Sequence, residues 1–139
     1  MKQNEPVSKI MSTGLKTIQI GQKLSDARRI LAEKPFDHVP VLDGTKLVGM
    51  LSSTDLVKLT FDWGNSDARS IDAVLDHQFT VAGTMTKDLV TMKSTETVRQ
   101  AAQLLVQASH HAVPVVEGDA KLVGIVTSTD LIRYLLDQY

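Results

Sequence analysis

The stretch Lys121–Tyr134 reads Lys-Leu-Val-Gly-Ile-Val-Thr-Ser-Thr-Asp-Leu-Ile-Arg-Tyr, and it determines how the rest of the chain is interpreted. Its first half is apolar and rich in β-branched residues, which predicts a short buried strand. In its second half a hydroxyl residue is followed three positions later by an aspartate, and an apolar helical pattern begins. This order is typical of a strand that turns sharply into a helix, with Thr127, Thr129 and Asp130 at the corner.

The same pattern occurs once more, because Lys46–Val57 reads Lys-Leu-Val-Gly-Met-Leu-Ser-Ser-Thr-Asp-Leu-Val. Both stretches keep the frame Lys-Leu-Val-Gly followed by Ser-Thr-Asp-Leu, and the changes between them are conservative. Matching segments precede each stretch at a nearly constant spacing, so the chain is interpreted as an internal duplication. The second copy has an extra residue in a turn, where two folded copies would tolerate an insertion.

Each copy predicts the order strand, helix, strand, strand, helix. In the first copy a strand over Leu15–Ile20 precedes a helix over Leu24–Lys34, and Val39–Leu42 forms a hairpin with the strand that follows it. Pro40 and Pro114 open the hairpin strands, which favours edge or end positions in a sheet. We therefore predict an α/β (α+β) fold of two β-α-β-β-α repeats in a pseudo-twofold arrangement. The repeats should form one compact unit, because each has too few strands to bury its own sheet face.

The predicted boundaries are 1–60 for the first repeat, 61–80 for a helical connector and 81–139 for the second repeat. Each repeat begins with a short segment that carries apolar residues suited to burial, Pro6–Met11 in the first and Val81–Met85 in the second. The sequence therefore assigns each of these segments to the repeat that follows it.

The connector has too regular an apolar pattern to be a loose linker. A helix over Asp67–Asp76 is expected, capped by Ser66 or Asn65. Its inward face is predicted to consist of Ala68, Ile71, Val74 and Leu75. Phe61 and Trp63, which precede this helix, either cover the end of the core or form an aromatic patch for a partner or a second copy.

Length, charge and composition exclude several classes of protein. The chain has 139 residues, a formal net charge of −1 and 42% hydrophobic residues, so no general attraction to nucleic acid or to an anionic membrane is expected. It has no cysteine, which excludes disulfides and thiolate metal sites and fits a cytoplasmic location. Neither a long apolar run nor a signal-peptide core is found, so no membrane span and no secretion are expected.

Catalysis and metal binding find no support in the sequence. The chain has no glycine-rich loop that would cradle a phosphate and no nucleophile with an orienting base, so we predict no enzyme activity, no catalytic residue and no cofactor. His110 and His111 are adjacent, and neighbouring residues on a strand point to opposite faces. No metal site is therefore predicted.

The ordered motifs of both copies resemble those of a known family. The copies start with Val-Ser-Lys-Ile-Met-Ser at 7–12 and Val-Ala-Gly-Thr-Met-Thr at 81–86, and Val-Pro-Val follows at 39–41 and 113–115. Together with the strand-to-helix frame, they resemble tandem cystathionine-β-synthase (CBS) domains over nearly the whole chain except the connector. The resemblance implies a Bateman module, a CBS pair with a cleft between its two sheets. Relatives often bind AMP, ADP, ATP or S-adenosylmethionine there and regulate an attached domain or a partner, and many form homodimers.

The resemblance also implies ligand-binding roles for residues of both copies. Asp55 and Asp130 would each accept hydrogen bonds from the two vicinal hydroxyls of a ribose, and such charge-assisted bonds are worth roughly 1.5–3 kcal/mol. Ser52 and Thr127 would meet ribose or phosphate beside a helix N-terminus, which favours an anion. One cleft would be lined by Ser12, Thr13, Phe36, His111, Ile125, Thr127 and Asp130. The other cleft would be lined by His38, Met50, Ser52, Asp55, Thr86, Lys87 and His110.

The two clefts are expected to be unequal. The cleft with Asp55 gathers three basic side chains that suit a phosphate: His38, Lys87 and His110. The cleft with Asp130 has Asp37 close by, which would repel a phosphate. We therefore predict that the Asp55 cleft binds nucleotide better. No arginine occupies the places where the family usually faces a phosphate, which argues against a triphosphate.

Other interpretations of the same residues stay open. Ser52 with Asp55, and Thr127 with Asp130, each match a capping box, so the carboxylates could serve only the helix starts. The histidines could be solvated ends of strands. The function predicted first is a sensor that signals to an unknown protein partner through a conformational shift. The alternatives are a ligand-free dimerisation scaffold and a regulatory subunit of an enzyme on another chain.

Overall fold

The computed structural model of the protein describes residues 4–33, 38–60, 67–107 and 112–139. Both helices and strands occur throughout these ranges, which confirms the α/β class. The elements in chain order are a 3-10 helix Val7–Lys9, β1 Ile18–Gln19, α1 Leu24–Glu33, β2 His38–Asp43, β3 Lys46–Ser52, α2 Ser53–Thr60, α3 Ala68–Gln78, α4 Val81–Thr84, β4 Met92–Lys93, α5 Val98–Gln107, β5 Ala112–Glu117, β6 Lys121–Thr127 and α6 Ser128–Asp137. The strands β1 and β4 are shorter than the sequence predicts.

The chain folds into two compact units that do not follow the order of the repeats. The Asp55 unit consists of Lys16–Leu89, and the Asp130 unit consists of the residues up to Leu15 together with Val90–Tyr139. The first segment of each repeat therefore lies in the unit that holds the strands of the other repeat. Both units have the same internal plan, as the duplicated sequence predicts.

The Asp55 unit has a sheet in the order β1, β2, β3. The strand β1 is parallel to β2, and β2 pairs with β3 in an antiparallel hairpin. Its turn holds Gly44 at φ 67°, a left-handed conformation that glycine adopts at no steric cost. Three helices, α1, α2 and α3, cover a core of buried residues. These residues are Ile18, Leu24, Ala27, Val39, Val41, Leu51, Leu56, Leu75, Val81 and Met85.

Pro40 lies in a central strand, so the predicted edge position is wrong. The two-residue strand β1 pairs with β2 only at Val41 and Leu42, beyond the proline. On its other side Pro40 lies opposite Met50, whose N–H and C=O bond instead to Thr86 at 3.0 and 2.9 Å. The position opposite Pro40 is therefore a non-hydrogen-bonded pair, and the missing N–H of the proline costs no ladder bond.

The Asp130 unit repeats this plan with β4, β5 and β6. The strand β4 is parallel to β5, β5 and β6 form the antiparallel hairpin, and Pro114 again faces a residue, Ile125, whose backbone bonds turn away from it. The N-terminal segment is joined to this unit by two backbone bonds. Val7 N–H donates to the carbonyl of Glu96 at 2.7 Å, and Val98 N–H donates to the carbonyl of Glu5 at 2.8 Å.

The glycine of each Lys-Leu-Val-Gly frame allows a methionine to approach the strand. A Cβ at Gly124 would lie 2.5 Å from the sulfur of Met11 and 3.0 Å from the carbonyl oxygen of Ser12. A Cβ at Gly49 would overlap the sulfur of Met85 in the same way. Each methionine belongs to the segment that starts the other repeat. The repeated glycine therefore marks the place where that segment crosses the strand.

The connector forms the predicted helix, but its start differs from the prediction. The N-cap of α3 is Asp67, whose side chain accepts a hydrogen bond from Ser70 N–H. This bond lowers the pKa of Asp67 below its ordinary value. Ile71 and Leu75 pack in the core as predicted, whereas Ala68 is exposed because it lies in the first turn.

The connector helix also completes the start of α1. The Asp76 carboxylate accepts from the backbone N–H of Ser25 at 3.0 Å and from its hydroxyl at 2.6 Å. One turn earlier, Asp72 accepts from Arg28 at 3.0 Å. At the start of the matching helix α5, Thr97 is the cap, but α1 has Lys23 at this position. Asp76 therefore accepts from a backbone N–H of α1 that a local capping residue would otherwise bind.

Candidate functional site

The two predicted ribose acceptors lie at equivalent positions, in the first turns of α2 and α6. Asp55 N–H donates to Ser52 Oγ at 3.1 Å, and Ser52 N–H donates to Asp55 Oδ2 at 2.9 Å. Asp130 and Thr127 make the same reciprocal pair at 3.1 and 2.9 Å. Both capping boxes are therefore formed. They fix each carboxylate at a helix N-terminus, where negative charge is favoured.

The Asp55 site combines the strand-to-helix corner with the segment that starts the second repeat. His38 lies opposite Ser52 at the end of the β2–β3 hairpin. Thr86 pairs with Met50 through two backbone hydrogen bonds, which brings Thr86 and Lys87 beside the corner. The side chains of Thr86 and Lys87 are exposed, and Met50 is buried. Six of the seven residues predicted for this cleft thus belong to one unit.

The Asp130 site is built in the same way from the N-terminal segment. Ser12 pairs with Ile125 through backbone bonds of 2.7 and 3.0 Å, so Ser12 and Thr13 lie beside the corner. Ile125 is buried, and Thr127 is half-buried. Ser12, Thr13, Ile125, Thr127 and Asp130 all belong to the Asp130 unit.

The two carboxylates differ in what they contact. Asp130 is 4% exposed, and Ser12 Oγ donates to its Oδ1 and Oδ2 at 3.0 and 3.2 Å. The guanidinium of Arg133 lies 3.3 Å from Oδ1. Asp55 is half-buried, and within the described ranges its carboxylate accepts only from Ser52 N–H. The Asp55 carboxylate therefore keeps accepting capacity that Asp130 has already used.

Several predicted residues lie outside the described residues. They are Phe36, Asp37, Phe61, Trp63, His110 and His111. The assignments of Phe36, His110 and His111 to the ligand-binding clefts stay predictions. The electrostatic reason for unequal sites also stays a prediction, since it depends in part on Asp37 and His110.

The bond from Ser12 to Asp130 and the contact from Arg133 were not predicted as such. The sequence does carry a signal for Arg133, which follows Asp130 by three residues and so shares its helix face. The Ser12 bond has no equivalent signal. Its counterpart Thr86 also carries a hydroxyl, yet no hydrogen bond joins Thr86 to Asp55 in the part of the chain that the structure describes.

Each site brings together groups that could bind a polar ligand. Each site offers a carboxylate acceptor, a hydroxyl and a helix N-terminus. Among the residues described, no three histidine, aspartate or glutamate side chains gather in a way that could hold a metal ion. No described helix combines the length and the apolar character that a membrane crossing requires.

The fold and the two sites define a tandem α/β repeat protein in which each unit has an aspartate capping box at the start of the helix that follows its hairpin. The CBS domain family is matched at residues 7–62 and 80–137, which together make up most of the chain. The chain belongs to the CBS domain family, as the sequence motifs predicted.

Known proteins resemble the chain in sequence and in fold. Protein MJ1225 from Methanocaldococcus jannaschii is 26% identical over 133 residues, which cover 95% of this chain and 48% of MJ1225. The crystal structure of MJ1225 matches with a TM-score of 0.80 at 25% identity, over 97% of this chain and 49% of that chain. The chain spans about half the length, or less, of the curated relatives that it matches.

Three matching structures, of two proteins, are CBS pairs of similar length. CBSX2 from Arabidopsis thaliana matches with a TM-score of 0.82 at 27% identity, over 98% of this chain and 97% of that chain. A structure of CBSX2 in complex with AMP matches with a TM-score of 0.80 at 26% identity, over 96% and 98% of the two chains. The CBS domain pair of protein MJ0100, in complex with 5′-methylthioadenosine and S-adenosyl-L-methionine, matches with a TM-score of 0.74 at 27% identity, over 96% and 98%.

Proposed function

We propose that this chain is a regulatory sensor that binds an adenosine-containing ligand and carries out no chemistry of its own. AMP, ADP, ATP and S-adenosylmethionine are the ligands considered, with AMP and S-adenosylmethionine preferred because two similar proteins bind AMP or S-adenosylmethionine. No arginine stands at the predicted phosphate-facing positions, so ATP is the least favoured of the four.

The Asp55 carboxylate is the observation that carries the proposal. It is held in place by the Ser52 N–H on Oδ2, and no described residue donates to Oδ1. A ribose presents two vicinal hydroxyls, and a carboxylate has about four lone-pair sites with which to accept them. Thr86 and Lys87 are exposed beside this corner and supply a hydroxyl and a positive charge for the rest of the ligand.

The signal would be a shift between conformations. A ligand at the Asp55 site contacts α2 and the segment that follows α4, so it favours whichever arrangement of these elements fits it best. A ligand can shift such an equilibrium only by the difference between its affinities for the two states. An unidentified protein partner that prefers the ligand-bound state reads the signal. The absence of cysteine agrees with a cytoplasmic place for this regulation.

Ribose analogues test the proposal directly. AMP and S-adenosylmethionine are first screened by thermal denaturation, where a ligand at 100 times its Kd stabilises by about 2.7 kcal/mol. Isothermal titration then compares AMP with 2′-deoxy-AMP and 3′-deoxy-AMP. Each lost hydroxyl removes one charge-assisted bond, so about a tenfold or greater loss of affinity is expected. Equal affinity for all three would show that no carboxylate holds the ribose, and no binding of any probe would favour the scaffold function.

We also propose that the chain forms a homodimer through α6. Three exposed apolar residues of this helix and one just beyond its end follow the spacing i, i+3, i+4, i+7 and form the α6 stripe: Ile132, Leu135, Leu136 and Tyr139. Their exposed fractions run from 43% to 96%, although such a stripe is normally buried. We expect a second copy of the chain to cover the stripe, because two identical stripes can pack against each other about a twofold axis. Antiparallel packing would bring Arg133 of one copy beside Asp137 of the other, on the same flank of the stripe.

A charge in the α6 stripe should disrupt this dimer. Leu136→Asp buries a carboxylate in the apolar contact, so the dimer Kd should rise at least tenfold, measured by sedimentation equilibrium. Val106→Asp is the matched control, because Val106 on α5 is also exposed (85%) but lies outside the stripe. A wild-type protein that stays monomeric at all concentrations, or equal effects of both variants, would contradict the proposed interface.

A further inference from the structure

The Asp130 carboxylate is already held by three donors within the protein. Oδ1 accepts from Ser12 Oγ at 3.0 Å and lies 3.3 Å from the Arg133 guanidinium. Oδ2 accepts from Thr127 N–H at 2.9 Å and from Ser12 Oγ at 3.2 Å. Three donors thus hold the carboxylate, because the single proton of the Ser12 hydroxyl is shared between the two oxygens. The Asp130 side chain is 3% exposed, so little room remains for another donor.

The position of the Ser12 hydroxyl matches what a ligand would need. It lies across both carboxylate oxygens, which is the edge that a pair of vicinal hydroxyls would have to reach. The segment carrying it is fastened by backbone bonds from Ser12 to Ile125 at 2.7 and 3.0 Å. The backbone beside the carboxylate is therefore already ordered, so the hydroxyl bond costs only the freedom of one side-chain torsion, and a ligand must displace the hydroxyl.

The Asp55 site lacks this contact although its backbone is the same. Thr86 pairs with Met50 as Ser12 pairs with Ile125, with backbone bonds of 3.0 and 2.9 Å. No hydrogen bond from the Thr86 hydroxyl reaches Asp55 among the described residues. The difference between the sites is therefore in the side chains and not in the course of the chain.

We propose that the Ser12 hydroxyl is an internal substitute for a ribose hydroxyl, and that it keeps the Asp130 site closed to adenosine-type ligands while the Asp55 site stays open. This inference rests on the proposed sensor function. This inference explains why the two sites differ, as the sequence predicted, and it does so without using the charge of the histidines. It also makes Ser12 the residue that decides whether the Asp130 site takes a ligand in addition to the Asp55 site.

The test isolates the Asp130 site and then removes its blocking hydroxyl. Wild-type protein is titrated with AMP by calorimetry and should bind one equivalent tightly. In an Asp55→Asn background the remaining binding should be weak. Adding Ser12→Ala to this background should raise the affinity for AMP about tenfold. This factor corresponds to the free energy of one charge-assisted hydrogen bond, which the ligand no longer has to displace. Ser12→Thr keeps the hydroxyl and should stay weak. Ser70→Ala is the control, because it removes an exposed serine hydroxyl on α3, outside the residues predicted to bind ligand, and should leave the weak binding unchanged.

Each outcome decides between the two proposals. Thermal denaturation first verifies that every variant is folded, which is expected because the backbone bonds of Ser12 do not need its side chain. If wild-type protein binds two AMP with equal affinity, or if Ser12→Ala does not tighten binding, the inference is wrong while the sensor function stands. If neither wild-type protein nor any variant binds AMP or S-adenosylmethionine, both proposals fail. Tightening by Ser12→Ala but not by Ser12→Thr supports the inference.

Discussion

Asp55→Asn is expected to lower the affinity for AMP by about 10- to 150-fold in isothermal titration. The substitution removes the charge and one acceptor oxygen, and hydrogen bonds to a charged group are worth about 1.5–3 kcal/mol. The asparagine Oδ1 can still accept from Ser52 N–H, so the capping box of α2 keeps one of its two bonds. The effect should therefore appear in binding and only weakly in stability.

Two further asparagine variants define what this result means. Asp67→Asn makes the same change at the N-cap of α3, where the carboxylate accepts from Ser70 N–H, and should leave the affinity for AMP unchanged. Asp130→Asn should have little effect on the affinity of the tight AMP site, because the Asp130 carboxylate already accepts from Ser12 and Thr127. If Asp55→Asn binds AMP as wild type does, the ribose assignment is wrong and Asp55 serves only the helix start.

Leu75→Ala is expected to destabilise the protein by about 2–5 kcal/mol in chemical denaturation. Leu75 lies on the connector helix, is fully buried and packs in the core of the Asp55 unit. Truncation would leave a cavity between α3 and the rest of this unit, and losses of this size are usual for buried leucine.

Val57→Ala is the control for this change. It also truncates an apolar side chain on a helix, but Val57 is 59% exposed, so a change within about 0.5 kcal/mol is expected. A loss below about 1 kcal/mol for Leu75→Ala would mean that the connector contributes little to the core. The connector would then be a linker, against both the sequence pattern and the packing of α3.

The helices and strands could be predicted from the sequence because each of them depends on local patterns. The frames around Asp55 and Asp130 predict a strand followed by a capped helix, and both capping boxes are present. The apolar spacing of Ile71 and Leu75 likewise predicts the inward face of the connector helix. Such patterns record which face of an element is buried, and a duplicated chain gives each pattern twice.

Other features could not be predicted, because they depend on which distant segments meet. The pattern around Val7 indicates burial, but not that Val7 packs in the unit of the second repeat. Pro40 was assigned to an edge because a proline removes one donor, and the sequence did not indicate that β1 pairs only beyond it. The use of the Ser12 hydroxyl depends on side-chain orientation, since Thr86 has the same group in the same backbone position.

The division of the chain between its two units also sets an order for biosynthesis. The Asp55 unit is continuous in sequence, from Lys16 to Leu89, so it can fold as soon as those residues have left the ribosome. The Asp130 unit is made from both ends of the chain, and Val7 waits without its partner Glu96 until the second repeat has been translated. Val7 is thus made long before the residue that it bonds to, and during that delay a chaperone or another nascent chain could hold the segment around it.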